Sequence, residues 1–273
     1  MTPIRTLAAL LLLGGVAQAA EVPPAVRAAG TLYLSTNAVY PPMEYKDPAT
    51  DQLTGLDIDL GQALAAKLGL AVAWQESAFE QLIPSLATGR TDFILSGLSD
   101  LPARREAMDF IDYMRSGAQF YALAASPAQA PADLCGKRVG TSRSTSFPAE
   151  IARFSAAACE AAGKPAIAVV PAESTADARS QLKQGRIDAA VQGSETIPYA
   201  MSLEPGAYHA VGQPFSSVFQ GIAFRKADAG FRDAVADALA SLIADGGYGR
   251  IMAKWGLSGN AVDAPLLNGG PRP

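Results

Sequence analysis

Two segments of the chain, 96 residues apart, share one pattern. Leu86–Gly97 reads LATGRTDFILSG and Leu182–Gly193 reads LKQGRIDAAVQG. Each combines the end of a helix, a Gly-Arg turn and a strand whose last residue is glycine, a pattern that single turns in any α/β protein can also give. The repeat predicts two lobes of similar structure. Because ligands of such sheets bind beyond the carboxyl ends of the strands, Ser96-Gly97 and Gln192-Gly193 are expected to face each other across a cleft.

Strand and helix patterns alternate through most of the chain. This order predicts an α/β fold in which each lobe is a mainly parallel sheet flanked by helices. Predicted strands cover residues 31–36, 70–74, 91–95, 137–141, 166–170 and 187–192. Predicted helices cover residues 57–68, 80–88, 148–161, 175–184, 229–244 and 248–255.

The first 19 residues are expected to be a secretory signal peptide. Arg5 precedes an apolar run over 7–16, and Ala17-Gln18-Ala19 has the small-x-small form of a cleavage site. The alternative is a buried N-terminal helix, which Gly14-Gly15 fits poorly. Export predicts a soluble periplasmic protein.

Charge and metal-ligating residues exclude some functions. The chain has 22 basic and 26 acidic residues and a net charge of −4, which argues against nucleic acid as a partner. One histidine, His209, and two cysteines cannot by themselves complete a four-ligand structural zinc site, and no metal or cofactor is expected. In an oxidising compartment Cys135 and Cys159 either pair with each other or stay free, and a disulfide is favoured over two buried thiols.

Two segments are predicted to connect the lobes. The first is the Pro/Ala-rich stretch 124–132, and the second is 214–220. Lobe 1 would then comprise residues 20–125 plus 219–260, and lobe 2 residues 127–217. Residues 261–273 are expected to form a C-terminal tail that is frayed from Asn268 onward.

Short motifs in a fixed order resemble the extracytoplasmic solute-binding proteins of family 3, which serve ABC importers of polar amino acids. The resemblance covers about residues 30–257. Its motifs are Tyr40-Pro41-Pro42-Met43-Glu44-Tyr45, Gly55-Leu56-Asp57-Ile58-Asp59-Leu60, Phe79 with Leu82-Ile83-Pro84, Ser96-Gly97-Leu98-Ser99 with Arg104 and Asp109-Phe110, Gly136-Lys137-Arg138-Val139-Gly140, Gly185-Arg186-Ile187-Asp188, Asp245-Gly246-Gly247-Tyr248 and Lys254-Trp255-Gly256.

This resemblance implies the two-lobed fold of type II periplasmic binding proteins, with the ligand site in the cleft between the lobes. It implies a monomeric, non-enzymatic receptor that binds an amino acid or related small carboxylate and delivers it to the permease subunits of an ABC transporter. A pair of cysteines placed like Cys135 and Cys159 also resembles a subset of the family that has a disulfide in lobe 2.

Family members suggest a role for each candidate site residue. Arg104 matches the position that clamps a ligand carboxylate, and a guanidinium offers two parallel donors that suit this role. Tyr40 and Phe79 match aromatic positions on either side of the ligand. The other matching positions form two turns, one in each lobe: Ser96, Gly97 and Ser99, and Ser144, Thr145 and Ser146.

Two positions depart from the family pattern. Members that bind α-amino acids commonly hold the ammonium with acidic residues where this chain has Gly193 and Asn37. Glu195 or Glu44 could substitute as the anion, and Arg143 could add a second cation. A ligand with more negative charge or without an α-amine therefore stays possible.

Two other classes of function remain open. Some periplasmic cyclohexadienyl and prephenate dehydratases share this fold and use a glutamate of lobe 2 as a general acid, and Glu195 lies near that region. A detached sensor domain is the other alternative.

Overall fold

The structure is a computed structural model that describes residues 20–272. The strands in chain order are β1 (Thr31–Thr36), β2 (Val39–Tyr40), β3 (Glu44–Lys46), β4 (Leu53–Thr54), β5 (Ala71–Glu76), β6 (Phe93–Ile94), β7 (Met108–Ser116), β8 (Ala118–Leu123), β9 (Arg138–Ser142), β10 (Ala168–Ala172), β11 (Ala189–Gly193), β12 (Tyr208–Val211), β13 (Val218–Arg225), β14 (Ala261–Leu267) and β15 (Gly270–Pro271). The helices are α1 (Pro24–Ala29), α2 (Leu56–Leu68), α3 (Phe79–Ala87), α4 (Pro102–Arg105), α5 (Phe147–Ala158), α6 (Thr175–Lys183), α7 (Ile197–Leu203), α8 (Ala229–Ala244) and α9 (Gly247–Lys254).

Two sheets define two lobes. Lobe 1 is built on a seven-stranded sheet of order β15-β14-β7-β13-β6-β1-β5. The small sheet β2-β3-β4 is formed by the part of the chain between β1 and α2. Lobe 2 is built on a five-stranded sheet of order β10-β9-β11-β8-β12. In each lobe three neighbouring strands are parallel, β5-β1-β6 and β10-β9-β11, and antiparallel strands complete the sheet. The predicted α/β class is confirmed, but only the core of each sheet is parallel, and the sheets that the sequence predicts to be mainly parallel are mixed.

Apolar helix faces cover the sheets as the sequence predicts. Helix α2 buries Leu56, Ile58, Leu60 and Leu64 and ends at Gly69, whose left-handed φ of 72° closes the helix. Helix α8 coincides with the predicted 229–244 and packs against α2 within the lobe 1 core. The core of lobe 1 therefore contains the apolar side chains of α2 that the helical periodicity predicts to be buried.

The repeated segment has the same local structure in both lobes. Gly89 follows α3 with φ 72°, and Gly185 follows α6 with φ 69°, so both glycines take the left-handed conformation that other residues avoid. Each turn leads into a central parallel strand, β6 or β11. Strand β11 ends at Gly193 as predicted, whereas β6 ends at Ile94, three residues before Gly97, and both glycines lie in the region between the lobes.

The first crossing between the lobes differs from its prediction. Strand β8 already belongs to the lobe 2 sheet, so the chain crosses at Gly117, and lobe 1 stops there rather than at 125. The stretch 124–132 is a loop packed on lobe 2, where Ala128 is buried and its carbonyl oxygen lies 2.8 Å from Nε2 of His209. A Pro/Ala-rich composition marks a surface loop as readily as a linker, which explains the error. The second crossing, over 212–217, overlaps the predicted one.

The C-terminal residues also differ from the expected tail. Strand β14 pairs with β7, and β15 pairs with β14, so both extend the lobe 1 sheet. The side chain of Asn268 accepts a hydrogen bond from the backbone N–H of Phe110 at 2.8 Å and donates to Asp109 at 3.1 Å. These contacts fix a Pro/Gly-rich segment whose composition alone suggests fraying. Pro273 lies outside the described residues.

Cys135 and Cys159 form the expected disulfide, which ties the segment before β9 to the end of α5. The expected signal peptide, residues 1–19, lies outside the described residues. Within 20–272, the helices are all too short or too polar to cross a bilayer. Over the same range, no cluster of His, Cys, Asp and Glu could hold a metal ion.

Candidate functional site

A cleft of about 270 Å³ lies between the two lobes and is lined by residues of both. Nine of the twelve predicted site residues line it. They are Asn37, Tyr40, Phe79, Gly97, Ser99 and Arg104 from lobe 1 and Ser144, Thr145 and Ser146 from lobe 2. The remaining three, Ser96, Gly193 and Glu195, lie directly behind the lining residues and contact them.

Arg104 provides the positive charge of the cleft. It lies in the short helix α4, and its Nη1 donates a hydrogen bond to the carbonyl oxygen of Ser99 at 2.8 Å. Its Cζ lies 6.0 Å from the centroid of the Phe79 ring. Within 20–272 Arg104 forms no ion pair, and burial lowers the pKa of its guanidinium, an effect that the charge of Glu150 partly opposes. The charge of a ligand carboxylate would offset the cost of this desolvation.

The lobe 2 turn opposite Arg104 leads into a helix. Residues 144–146 connect β9 to α5, and the hydroxyl of Thr145 donates to the carbonyl oxygen of Ser142 at 2.8 Å. The same hydroxyl accepts the backbone N–H of Phe147, the first residue of α5. These bonds therefore fix the turn and place the start of the twelve-residue helix α5 at the cleft. The backbone N–H groups at the start of a helix favour an anionic group.

Asn37 presents an acceptor rather than a charge. Its Nδ2 donates to the carbonyl oxygen of Ser77 at 2.7 Å, and its backbone N–H donates to Oγ of Ser96 at 2.9 Å. These bonds fix the amide so that Oδ1 is the group left for the ligand. A neutral oxygen at this position suits a ligand N–H donor.

A layer of buried carboxyl groups lies beneath the cleft in lobe 1. Glu44 lines the cleft yet is only 1% exposed, and its Oε1 accepts the Ser96 hydroxyl at 2.9 Å. Asp57 accepts hydrogen bonds from Tyr113 and from the N–H of Gly97, each at 2.7 Å. Burial, with the neighbouring Asp57 second, raises the pKa of Glu44 well above its usual range, and burial raises the pKa of Asp57 to about 6. Burial therefore disfavours a negative charge on both groups at once.

Glu195 lies close to the position that Gly193 leaves without a side chain. A Cβ atom on Gly193 would lie 2.2 Å from Oε1 of Glu195 and 2.4 Å from the hydroxyl oxygen of Tyr40. The Tyr40 hydroxyl donates to Oε1 of Glu195 at 3.0 Å and accepts the N–H of Gly193 at 3.1 Å. Glu195 thus supplies a carboxylate near this position, as the sequence suggested, but Tyr40 stands between it and the cleft.

Sequence reasoning missed two more residues that hold Glu195 in place. Nε2 of Gln220 donates to Oε1 at 2.7 Å, and the hydroxyl of Ser116 donates to Oε2. Ser116 ends β7 and Gln220 lies early in β13, on the strands that lead to and from the two crossings. The sequence around these two residues indicates only the end of a strand. Their role as donors to Glu195 depends on how the two crossings lie beside each other.

The mouth of the cleft is acidic. Glu80 and Glu173 both line it, and Glu173 forms an exposed ion pair with Arg143 at 2.7 Å. Arg143 is therefore already paired and does not line the cleft, so this arrangement gives no support to a second cation for the ligand at Arg143. Of the described lining residues, Arg104 is the single basic one, against Glu44, Glu80 and Glu173.

The fold and the cleft define a two-lobed ligand-binding protein. Residues 32–258 match the family of bacterial extracellular solute-binding proteins, family 3, and the chain belongs to that family. The arginine-binding protein ArgT of Corynebacterium glutamicum is 34% identical over 92% of this chain and 83% of its own length. The L-arginine-binding protein of Pseudomonas aeruginosa is 31% identical over 90% of this chain and 95% of its own length.

Solved structures agree with these relatives. An ancestral arginine-binding protein bound to arginine is 29% identical, covers 83% of this chain and 98% of its own, and superposes with a TM-score of 0.75. An ancestral amino acid-binding protein described as a precursor of cyclohexadienyl dehydratase is also 29% identical, covers 85% and 97%, and has the same TM-score. The predicted family and the non-enzymatic, solute-binding class are confirmed. Glu195, the residue behind the dehydratase alternative, is 2% exposed and does not line the cleft.

Proposed function

We propose that this chain is a periplasmic receptor that binds arginine in its cleft and delivers it, as a monomer, to the permease subunits of an ABC importer. The observation that carries the proposal is the charge arrangement of the cleft. Arg104 has no ion pair within 20–272, while Glu80 and Glu173 line the mouth of the same space. A ligand with one carboxylate and a cationic far end matches both halves of this arrangement.

Each end of arginine has a place in the cleft. The carboxylate meets the guanidinium of Arg104 and the start of α5 from the two lobes, so ligand binding joins them. The guanidinium, a planar group with five donors, meets the acidic mouth at Glu80 and Glu173. The rings of Phe79 and Tyr40 line the wall between the two ends.

The experiment compares arginine with analogues that each lack one group. Calorimetry should show tight binding of arginine, weaker binding of uncharged citrulline, and loss of binding for agmatine, which has no carboxylate. At 100 times Kd arginine should raise the unfolding free energy by about 2.7 kcal/mol. Citrulline or glutamate binding more tightly than arginine would contradict the proposed charge preference.

A second candidate is a small carboxylate without an α-amine. Its support is the pair of positions Asn37 and Gly193, which place no carboxylate against an α-ammonium, while Glu195 lies behind Tyr40. The arginine analogue 5-guanidinopentanoic acid, which lacks only the α-amine, separates the two candidates in the same titration. Equal or tighter binding of this analogue would favour the second candidate.

A further inference from the structure

The hydrogen bonds of Tyr40 cross from one lobe to the other. Tyr40 belongs to β2 in lobe 1, and Glu195 and Gly193 lie at the end of β11 in lobe 2. One hydroxyl group donates to Oε1 of Glu195 at 3.0 Å and accepts the N–H of Gly193 at 3.1 Å. Both bonds join protein groups to each other, so neither requires a ligand.

Lobe 1 donors beside the two crossings hold the acceptor of this contact in place. Glu195 is 2% exposed, and its two oxygens also accept hydrogen bonds from Gln220 and Ser116 near the crossings. A buried carboxylate held by several donors forms stronger hydrogen bonds than a pair of neutral groups. Separating the lobes would remove the Tyr40 donor from Oε1 and leave the N–H of Gly193 without its partner.

A second contact between the lobes lies at the rim. The rings of Tyr45 in lobe 1 and Tyr199 in lobe 2 have centroids 5.6 Å apart. An aromatic contact of this kind buries apolar surface area, but it includes no directional hydrogen bond to a buried charged group. The Tyr40–Glu195 contact is therefore the stronger candidate for a specific connection across the cleft.

We propose that Tyr40 and Glu195 form a latch that closes the two lobes before a ligand arrives. Binding in the cleft requires the closed arrangement, so the apparent dissociation constant equals the intrinsic one divided by the closed fraction. By raising that fraction, the latch tightens the binding of every ligand by the same factor. Its effect is separate from the choice of ligand, and the inference goes beyond the proposed function.

The test uses Tyr40→Phe, which keeps the ring in the cleft wall and removes the hydroxyl. Small-angle X-ray scattering of the ligand-free protein should give a larger radius of gyration for Y40F than for the wild type. Hydrogen exchange of the Gly193 amide should accelerate in Y40F, because its acceptor is gone. Tyr33→Phe, at an exposed tyrosine of lobe 1, is the matched control and should change neither quantity.

Equal radii of gyration for ligand-free wild type and Y40F, with unchanged exchange at Gly193, would overturn the latch. Both measurements are made without ligand, so they decide the matter whether or not arginine binds. Where arginine does bind, Y40F should raise its Kd at least about threefold and shift the Kd of each other ligand by the same factor. If Y40F does not fold, Glu195→Gln removes the charge and should also increase the radius of gyration.

Discussion

A Cβ atom on Gly117 would lie 2.0 Å from the carbonyl oxygen of Ser216. These two residues lie on the two crossings, so the crossings touch each other where the lobes join. We expect Gly117→Ala to destabilise the protein by about 1–3 kcal/mol, because the new methyl group must push one crossing away from the other. The midpoint of urea unfolding measures this loss. Gly249→Ala is the control: it lies in α9 with open space around it and should stabilise by about 0.5–1 kcal/mol. A neutral effect of Gly117→Ala would show that the crossings separate freely.

Arg104→Ala should weaken arginine binding at least tenfold and leave the melting temperature of the ligand-free protein nearly unchanged. The guanidinium is the single basic group among the described residues that line the cleft, and its protein contact is one hydrogen bond to the Ser99 carbonyl oxygen. Calorimetry measures the affinity. Arg143→Ala should change it far less, because Arg143 is paired with Glu173 at the exposed mouth. Unchanged affinity in Arg104→Ala would remove this residue from the site.

Reduction of the disulfide should lower the melting temperature. The bond between Cys135 and Cys159 closes a loop with a sequence separation of 24 residues, and the chain-entropy estimate for such a loop is roughly 3 kcal/mol. Thermal unfolding with and without reductant measures the effect, and the double variant Cys135→Ser with Cys159→Ser should be insensitive to reductant. Two titratable thiols in native, unreduced protein would contradict this prediction.

Removing the α-amine of arginine should cost less than about 1.5 kcal/mol, the low end for a hydrogen bond to a charged group. Gly193 and Asn37 supply no carboxylate, and Glu195 already accepts donors from Tyr40, Gln220 and Ser116. Calorimetry on arginine and 5-guanidinopentanoic acid measures the difference. A loss of affinity greater than about a hundredfold would show that an anionic group of the protein still binds the amine. If Glu195→Gln then abolished the difference, Glu195 would be that anion.

Stability should fall as the pH rises from about 4 to about 8. Asp112 is fully buried beside Asp100, and burial, with Asp100 second, raises its pKa to about 8. In this window folded Asp112 keeps its proton while the unfolded chain has lost it, so higher pH favours unfolding. Asp112→Asn preserves the acceptor for the N–H of Gly269 and should make the fall shallower. Urea unfolding at several pH values tests this, with exposed Asp263→Asn as control. An unchanged slope in Asp112→Asn would contradict the assignment.

Local patterns predicted most of the longer helices and the parallel strands, but not the antiparallel strands β7 and β8 or the connections between the lobes. Helix α8 and strand β1 coincide with their predicted ranges, because periodicity and terminal glycines act over a few residues. The crossing at Gly117 was missed, since a single glycine between two strands looks like a bulge in one strand. The C-terminal strand β14 was missed because its pairing with β7 is a contact between residues far apart in the sequence.

The site was predictable to the extent that its residues belong to motifs. Arg104, Phe79 and the 144–146 turn line the cleft as the resemblance implies. Nothing local indicates that Asp57, on a helix face, would accept the N–H of Gly97. In the same way, Gln220 and Ser116 acquire their role only when the two crossings bring them to Glu195.

The position of Tyr40 between Gly97 and Gly193 has an evolutionary consequence. A Cβ on Gly97 would approach the Tyr40 ring to 3.2 Å, and one on Gly193 would approach its hydroxyl oxygen to 2.4 Å. The equivalent glycines of the two repeats are therefore constrained by one aromatic side chain. A descendant of this protein that acquired aspartate at 193 would have to move the Glu195 carboxylate and the Tyr40 hydroxyl, and so break their hydrogen bonds, unless position 40 or 195 had changed first. The order of substitutions, and not only their identity, decides which ligand preferences are reachable from this sequence.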